Sequence, residues 1–354
     1  MLTMKIRGFI EGFYNRKPKK NDYSFKNSNI THYIYAPKED SYIRQKWRIK
    51  DKSLEARSIP KNITQVYTLS PGADFKSKSK KDFNLLLSKF NFAIDKGFSE
   101  VGLLFDDIDI NNIGIESDDK DLGKFHGELI SEVTTKLGLS NGWFCPSIYC
   151  ESFSKKGIQN DKYLEGVSET INNDLLFLWT GPKVISDFIS QDHLKELGQV
   201  INNPVVIWDN FYANDYCPTR LFLGDITGRD FFRGNPHGHV INGTGLINTD
   251  EFLISKVFDK KKKINLPSEL LPLFDSPFKN INKSEINKMI RNSKDIKKAV
   301  FETTDDNLFL EWKPYLVQAL NDIELIKNFK SKQTIETYLH RRYSPLVSQT
   351  FNKC

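Results

Sequence analysis

Eight short apolar or β-branched runs recur along the first 245 residues, and this recurrence limits the possible folds more than any other feature of the chain. The runs are KIRGFIEGFY (5–14), THYIYAPK (31–38), ITQVYTLSPG (63–72), EVGLLFDDID (100–109), GWFCPSIYC (142–150), DLLFLWTGP (174–182), PVVIWDN (204–210) and GHVING (238–243). Their starts lie roughly 25 to 42 residues apart, the spacing of strand–loop–helix–loop units. Several are apolar without alternation, as in strands covered on both faces. Between them lie helical patterns. In KKDFNLLLSKFNFAIDKGF, residues Phe83, Leu86, Leu87, Phe90 and Ala93 form one stripe, and Gly97 is placed to end the helix. KDLGKFHGELISEVTTKLGL and VISDFISQDHLKELGQVI read the same way. The pattern predicts an α/β protein, a (β/α)8 TIM barrel.

Two connections are thin. Residues 15–30 and 48–62 show few apolar positions, so the first helices of the barrel are expected to be short or missing. Such a gap would be covered by the C-terminal segment or by a partner subunit, which makes a homodimer an expectation. Beyond NLPSELLPLF the character changes to amphipathic helices, SEINKMIRNSKDIKKAVF and NLFLEWKPYLVQALNDIELIKNF. The expected division is a catalytic barrel at 1–265 and a small helical domain at 266–354.

Composition excludes several classes. At 354 residues the chain buries a sizeable core. No stretch approaches the roughly 20 apolar residues of a membrane span, and the N-terminal residues lack the order of a signal peptide. The cysteines, Cys145, Cys150, Cys217 and Cys354, form no C-x-x-C pair, which suits reduced thiols in a cytoplasm. The net charge is +6, and lysines come in runs, KSKSKK (76–81) and KKKK (260–263). Few aromatics interleave with these lysines, so no nucleic-acid partner is expected.

Chemistry in such a barrel sits at the C-terminal ends of the strands. Those ends carry Glu11, Gly12 and Tyr14; Lys38; Asp106, Asp107 and Asp109; Cys145 and Tyr149; Trp179 and Thr180; Trp208, Asp209 and Asn210, then Asp215; and Asn242. Carboxylates, amides and aromatic walls suit a sugar. Three readings stay open on these residues alone. One is a glycosidase with two working carboxylates. Another is a Mg²⁺ site built from Asp106, Asp107, Asp109 and Asp209. The third is a phosphate site at NGTG (242–245). Against metal, adjacent strand residues point apart.

The motifs RGFIEGFYNR, YIYAPKED, LSPGAD, LLFDDID, FCPSIYC, LWTGPKV and WDNFYANDY, in that order over about residues 6–245, resemble the catalytic domain of glycoside hydrolase family 84. These are the O-GlcNAcase-type β-N-acetylglucosaminidases. The resemblance implies removal of terminal β-linked GlcNAc from a glycoside or glycoconjugate, with retention and without cofactor or metal. The acetamido oxygen of the sugar would attack through an oxazoline. Asp106 would orient the acetamido N–H, and Asp107 would act as general acid and then base. A neighbouring carboxylate favours the protonated form that an acid needs. Gly12, Tyr14, Lys38, Asn210, Asp215 and Asn242 would bind the substrate and Tyr149 would support the acetamide. Cys145, Thr180, Val184 and Trp208 would shape the acetyl pocket. Asp109 is expected to be structural, and Glu11 a brace. The alternatives are a catalytically impaired carbohydrate-binding barrel and a Mg-dependent barrel enzyme using Asp106, Asp107 and Asp109. Ile148 stands where the family commonly has an acid, and Asn15 where it has glycine.

Overall fold

The computed structural model describes residues 4–14, 23–26, 28–56, 58–77, 79–107, 119–230, 236–259, 266–279, 281, 283–302 and 306–343. The chain divides into two compact units, 1–210 with 227–245, and 211–226 with 246–354.

The first unit is a closed barrel of eight parallel strands in sequential order. The strands are β1 Ile6–Ile10, β2 His32–Tyr35, β3 Thr64–Leu69, β4 Glu100–Leu104, β5 Gly142–Cys145, β6 Leu176–Trp179, β7 Val205–Asp209 and β8 Gly238–Asn242. Each falls within one of the eight apolar runs. β1 closes on β8 with Ile10 opposite Asn242. Alternation along the strands fills the interior with Ile6, Ile10, Ile34, Val66, Leu104, Leu178, Val206 and Val240. The alternate positions, among them Tyr67, Leu103, Phe144, Phe177 and Ile207, join the outer core.

That outer core is covered in two ways. After β3, helices α1 (Lys80–Asp95), α2 (Asp119–Leu137), α3 (Lys162–Thr170) and α4 (Gln191–Gly198) follow the usual plan. Ser79 caps α1 by accepting from the Asp82 N–H at 3.1 Å. Gly97, at φ +101°, takes the left-handed position just past its end. α2 and α3 approach so closely that no side chain fits between them. A Cβ at Gly123 would lie 2.0 Å from the Tyr163 carbonyl oxygen, and one at Gly166 would lie 2.1 Å from that of Lys120.

No helix stands between β1 and β2, or between β2 and β3, among the described residues. Among the described residues, aromatics fill this gap. Phe9 of β1 and Tyr33 of β2 face outward and are fully buried under Tyr23 and Phe25. The Tyr23 ring lies 5.0 Å from Phe9 and 5.2 Å from Phe25. Burying each such ring contributes about 1.5–3 kcal/mol. After β2, a turn-rich stretch (39–49) takes the helix's place. Lys89, wholly buried in α1, donates from Nζ to the carbonyls of Tyr42 (3.1 Å) and Ile49. Arg48 grips both oxygens of Asp82, at 2.9 and 2.8 Å. Among the described residues, Tyr23, Phe25 and the stretch 39–49 cover this part of the outer core.

The second unit is helical among its described residues: α5 Ile247–Ile254, α6 Lys283–Arg291, α7 Ser293–Glu302, α8 Asn307–Lys327 and α9 Lys332–Tyr343. Glu311 of α8 accepts from the backbone N–H groups of Asn248 (3.0 Å) and Thr249 (2.7 Å). It thereby places a carboxylate on the open N–H groups that begin α5. Asp322 of α8 is buried and takes hydrogen bonds from Tyr338 (2.8 Å) and Arg342 (2.9 Å) of α9. No helix among the described residues is long and apolar enough to cross a membrane.

Candidate active site

β4 delivers two adjacent aspartates to the C-terminal mouth of the barrel, and the backbone gives them different surroundings. Asp106 is buried, at 5% exposure, and forms an ion pair with the equally buried Lys38, which follows β2. Burial alone would lower the Lys38 pKa, but the carboxylate of Asp106 outweighs it and the ammonium is held above its usual value. The other oxygen of Asp106, Oδ1, is buried with no hydrogen-bond partner among the described residues. The Lys38 Nζ also lies 5.4 Å from the ring centroid of Trp208.

Asp107 is exposed. Its φ of +53° is in the left-handed region, which aspartate tolerates better than most residues. Strand alternation therefore no longer dictates where its side chain points. Two phenols hold its carboxylate: Tyr14 donates to Oδ2 at 2.9 Å and Tyr149 to Oδ1 at 2.9 Å. Burial, followed by the nearby aspartates, pushes the Tyr149 hydroxyl well up. Tyr14 is pushed up to about 12, chiefly by burial, with Lys38 pulling the other way.

A chain of amides runs along the opposite side of the mouth. The Gly12 N–H donates to Asn242 Oδ1 at 3.0 Å, Asn242 Nδ2 to Asn210 Oδ1 at 2.8 Å, and Asn210 Nδ2 to the Val184 carbonyl at 2.8 Å. Each bond fixes the orientation of the next amide. Gly12 is required by space, since a Cβ there would sit 2.2 Å from the Trp208 ring. Cys145, Tyr149, Trp208 and Val184 belong to the apolar cluster that floors the mouth. Thr180 ties this floor together: its N–H donates to the Tyr149 carbonyl at 2.9 Å and its hydroxyl to that of Lys183 at 2.9 Å.

The first unit thus brings together Gly12, Tyr14, Lys38, Asp106, Asp107, Cys145, Tyr149, Thr180, Val184, Trp208, Asn210 and Asn242. Asp215 lies in the second unit, where its Oδ1 accepts from the Tyr216 N–H at 2.9 Å. Asp109 falls outside the described residues, as do Asn15 and the lysines at 260–263.

The magnesium reading does not survive for Asp209. Its neighbour Ile207 joins the outer core, and Asp209 turns the same way, onto Arg229 (2.7 and 2.8 Å) and His239 (2.9 Å). Burial alone would raise the Asp209 pKa, but these partners hold it well below the usual carboxylate range. The phosphate reading at NGTG loses a donor as well, because the Gly243 N–H is spent on the Ile10 carbonyl at 3.3 Å. Glu11 accepts from the Tyr33 hydroxyl behind β1, consistent with a brace. Ile148 packs against the outer core. Arg44, which donates to the Tyr14 hydroxyl at 3.1 Å, was not picked out by the sequence. Its signal was a basic residue in the stretch YIRQKWR, whose partner lies 30 residues away.

A parallel (β/α)8 barrel with an acidic pair, oriented amides and aromatic walls at its C-terminal mouth has the layout of a barrel enzyme. The family model described as NAGidase, beta-N-acetylglucosaminidase, matches residues 7–239, and the chain belongs to this family of glycoside hydrolases. Protein O-GlcNAcase of Rattus norvegicus and that of Mus musculus are each 33% identical over 239 residues, 63% of this chain and 26% of theirs. The chain therefore spans about a quarter of the length of the curated relatives it matches. Among solved structures, a mutant of Thermobaculum terrenum O-GlcNAc hydrolase shares the fold at a TM-score of 0.70. The match covers 96% of this chain and 88% of that one, at 17% identity.

Proposed function

We propose that this protein is a retaining exo-β-N-acetylglucosaminidase that hydrolyses terminal β-linked GlcNAc from a glycoside or glycoconjugate by substrate-assisted catalysis. The observation that carries this reading is the buried, partnerless Oδ1 of Asp106 at the barrel mouth. A buried carboxylate oxygen without a donor is costly. The N–H of a 2-acetamido group would supply that donor, while Lys38 is paired with the other oxygen. Asp106 would then steer the acetamido oxygen to C1 and stabilise the positive charge that develops on the amide.

Asp107 would donate its proton to the glycosidic oxygen as the C1–O bond breaks and the oxazoline closes. It would next take a proton from the water that attacks C1 and reopens the ring. Lys38, Asn210, Asn242 and the Gly12 carbonyl would hold the sugar hydroxyls. Tyr149 would steady the acetamide against the floor of Cys145, Thr180, Val184 and Trp208. Cys145, Cys150 and Cys217 are free thiols, which fits work in a reducing compartment.

The test is hydrolysis of aryl and alkyl β-N-acetylglucosaminides in buffer containing EDTA. Asp107→Asn should lose most activity on poor leaving groups, and Asp106→Asn on every substrate. Full activity in both variants would sink the assignment. An oxazoline mimic that raises Tm without any turnover of substrate would make the chain a carbohydrate-binding barrel instead.

A further inference from the structure

Two phenols grip Asp107, and their own surroundings differ. Behind Tyr14 stands a permanent cation. The half-buried Arg44 sends Nη1 to the Tyr14 oxygen at 3.1 Å, and its guanidinium lies 5.7 Å from the Tyr14 ring centroid. Arginine has five donors and no acceptor. The Tyr14 hydroxyl must therefore accept from Arg44, and its single hydrogen is left for Asp107 Oδ2, 2.9 Å away. The direction of the relay, guanidinium to phenol to carboxylate, is fixed by valence. The stretch that carries Arg44 is itself anchored: the Ser70 N–H donates to the Ile43 carbonyl at 2.8 Å, and Lys89 holds the Tyr42 and Ile49 carbonyls.

We propose that Arg44 is a positioning residue for the acid/base step: it locks and polarises the Tyr14 phenol so that this phenol donates to Asp107, and so sets the pH at which Asp107 can act as an acid. The proposal rests on the reading of Asp107 as the general acid and base. The charged and titratable groups facing Asp107 are Asp106 beside it, Lys38 after β2, Tyr14 after β1, and Cys145 and Tyr149 from the end of β5 and the loop after it. Arg44 is the cation that reaches it through Tyr14. A charge-assisted donor stabilises the ionised carboxylate more than a neutral phenol alone.

The experiment is the pH dependence of kcat/KM on an alkyl β-N-acetylglucosaminide, whose leaving group needs the acid. Arg44→Gln should move the alkaline limb up by about 0.5 pH unit, since a cation that favoured the ionised form has gone. Arg44→Lys, which keeps charge and donor, should leave the limb in place. Tyr14→Phe should move it in the same direction as Arg44→Gln, and in the Tyr14→Phe background Arg44→Gln should add no further shift. An unmoved limb in Arg44→Gln overturns the proposal, as does a shift that persists without the Tyr14 hydroxyl. If Arg44→Gln does not fold, an unmoved limb in Tyr14→Phe overturns it equally. Full activity in Asp107→Asn is a different result: it removes the acid/base reading itself, whatever Arg44 does.

Discussion

Two charge clusters of the barrel built on buried aspartates invite comparison, one at its mouth and one in its outer layer. In the outer layer, Asp209 Oδ1 accepts from Arg229, and Oδ2 accepts from Arg229 and contacts His239, so both oxygens are engaged. At the mouth, Asp106 is paired with Lys38 through one oxygen, and the other is left bare. The two clusters share charge type and burial but differ in completeness. A finished cluster holds structure together, while an unfinished one at a concave mouth is a place for a ligand to supply the missing partner.

That contrast can be broken from either side. The largest effect is expected in the outer cluster. Arg229→Met leaves Asp209 buried without its cation and should cost about 3–5 kcal/mol, read as a fall in the urea midpoint. Next comes the mouth. Asp106→Asn should lower kcat by about 10²–10³-fold while Tm falls less than in Arg229→Met, because the amide oxygen of the asparagine still accepts from Lys38. Equal Tm losses in the two variants would erase the distinction between the clusters.

A third buried group sharpens the contrast through pH. His126 is fully buried, stacks 3.7 Å from Phe105, and is pushed down to about 3 by burial. Its folded value lies below the unfolded 6.5. The unfolded chain therefore binds the proton first, and stability is lost as pH falls from about 6.5 towards 3. Between pH 7 and pH 5 this one group should remove about 2 kcal/mol, and His126→Leu should abolish that part of the loss. The smallest effect belongs to the exposed network of Lys120 with Glu165 and Glu169. Solvent screens it, so Lys120→Met should leave Tm unchanged in ordinary salt.

How much of this was legible depended on whether the signal was local. The eight strands were readable because each is a compact apolar run, and the end of α1 because Gly97 marks it. Of the stripe expected on α1, Leu86, Phe90 and Ala93 are buried, while Phe83 and Leu87 are half-exposed. Lys89 was missed: a lysine in a helix reads as solvated, and the carbonyls that bury it lie 40 and 47 residues away. The same distance problem hid Arg44 and Arg229, and it made Asp209 look like part of the mouth. The close contact of α2 and α3 was also missed, although glycines at 123, 127 and 166 mark it. At the site, the motifs placed the acids and amides in one mouth, but the relay behind Tyr14 exists only in three dimensions.

The amide chain at the rim also bears on how the protein is made. Gly12 and Asn242 are 230 residues apart in sequence, and their bond joins the first strand to the last. Contacts of such separation are slow to form, because a long loop must close before they contribute. A chain emerging from the ribosome would carry the acid pair, Lys38 and the floor of the mouth well before β8 arrives to orient Asn210. The amide-bearing rim is therefore among the last parts of the barrel to assemble, and its completion coincides with closure of the barrel itself. A barrel partly synthesised or trimmed before β8 would hold its acids in place and still lack a finished rim.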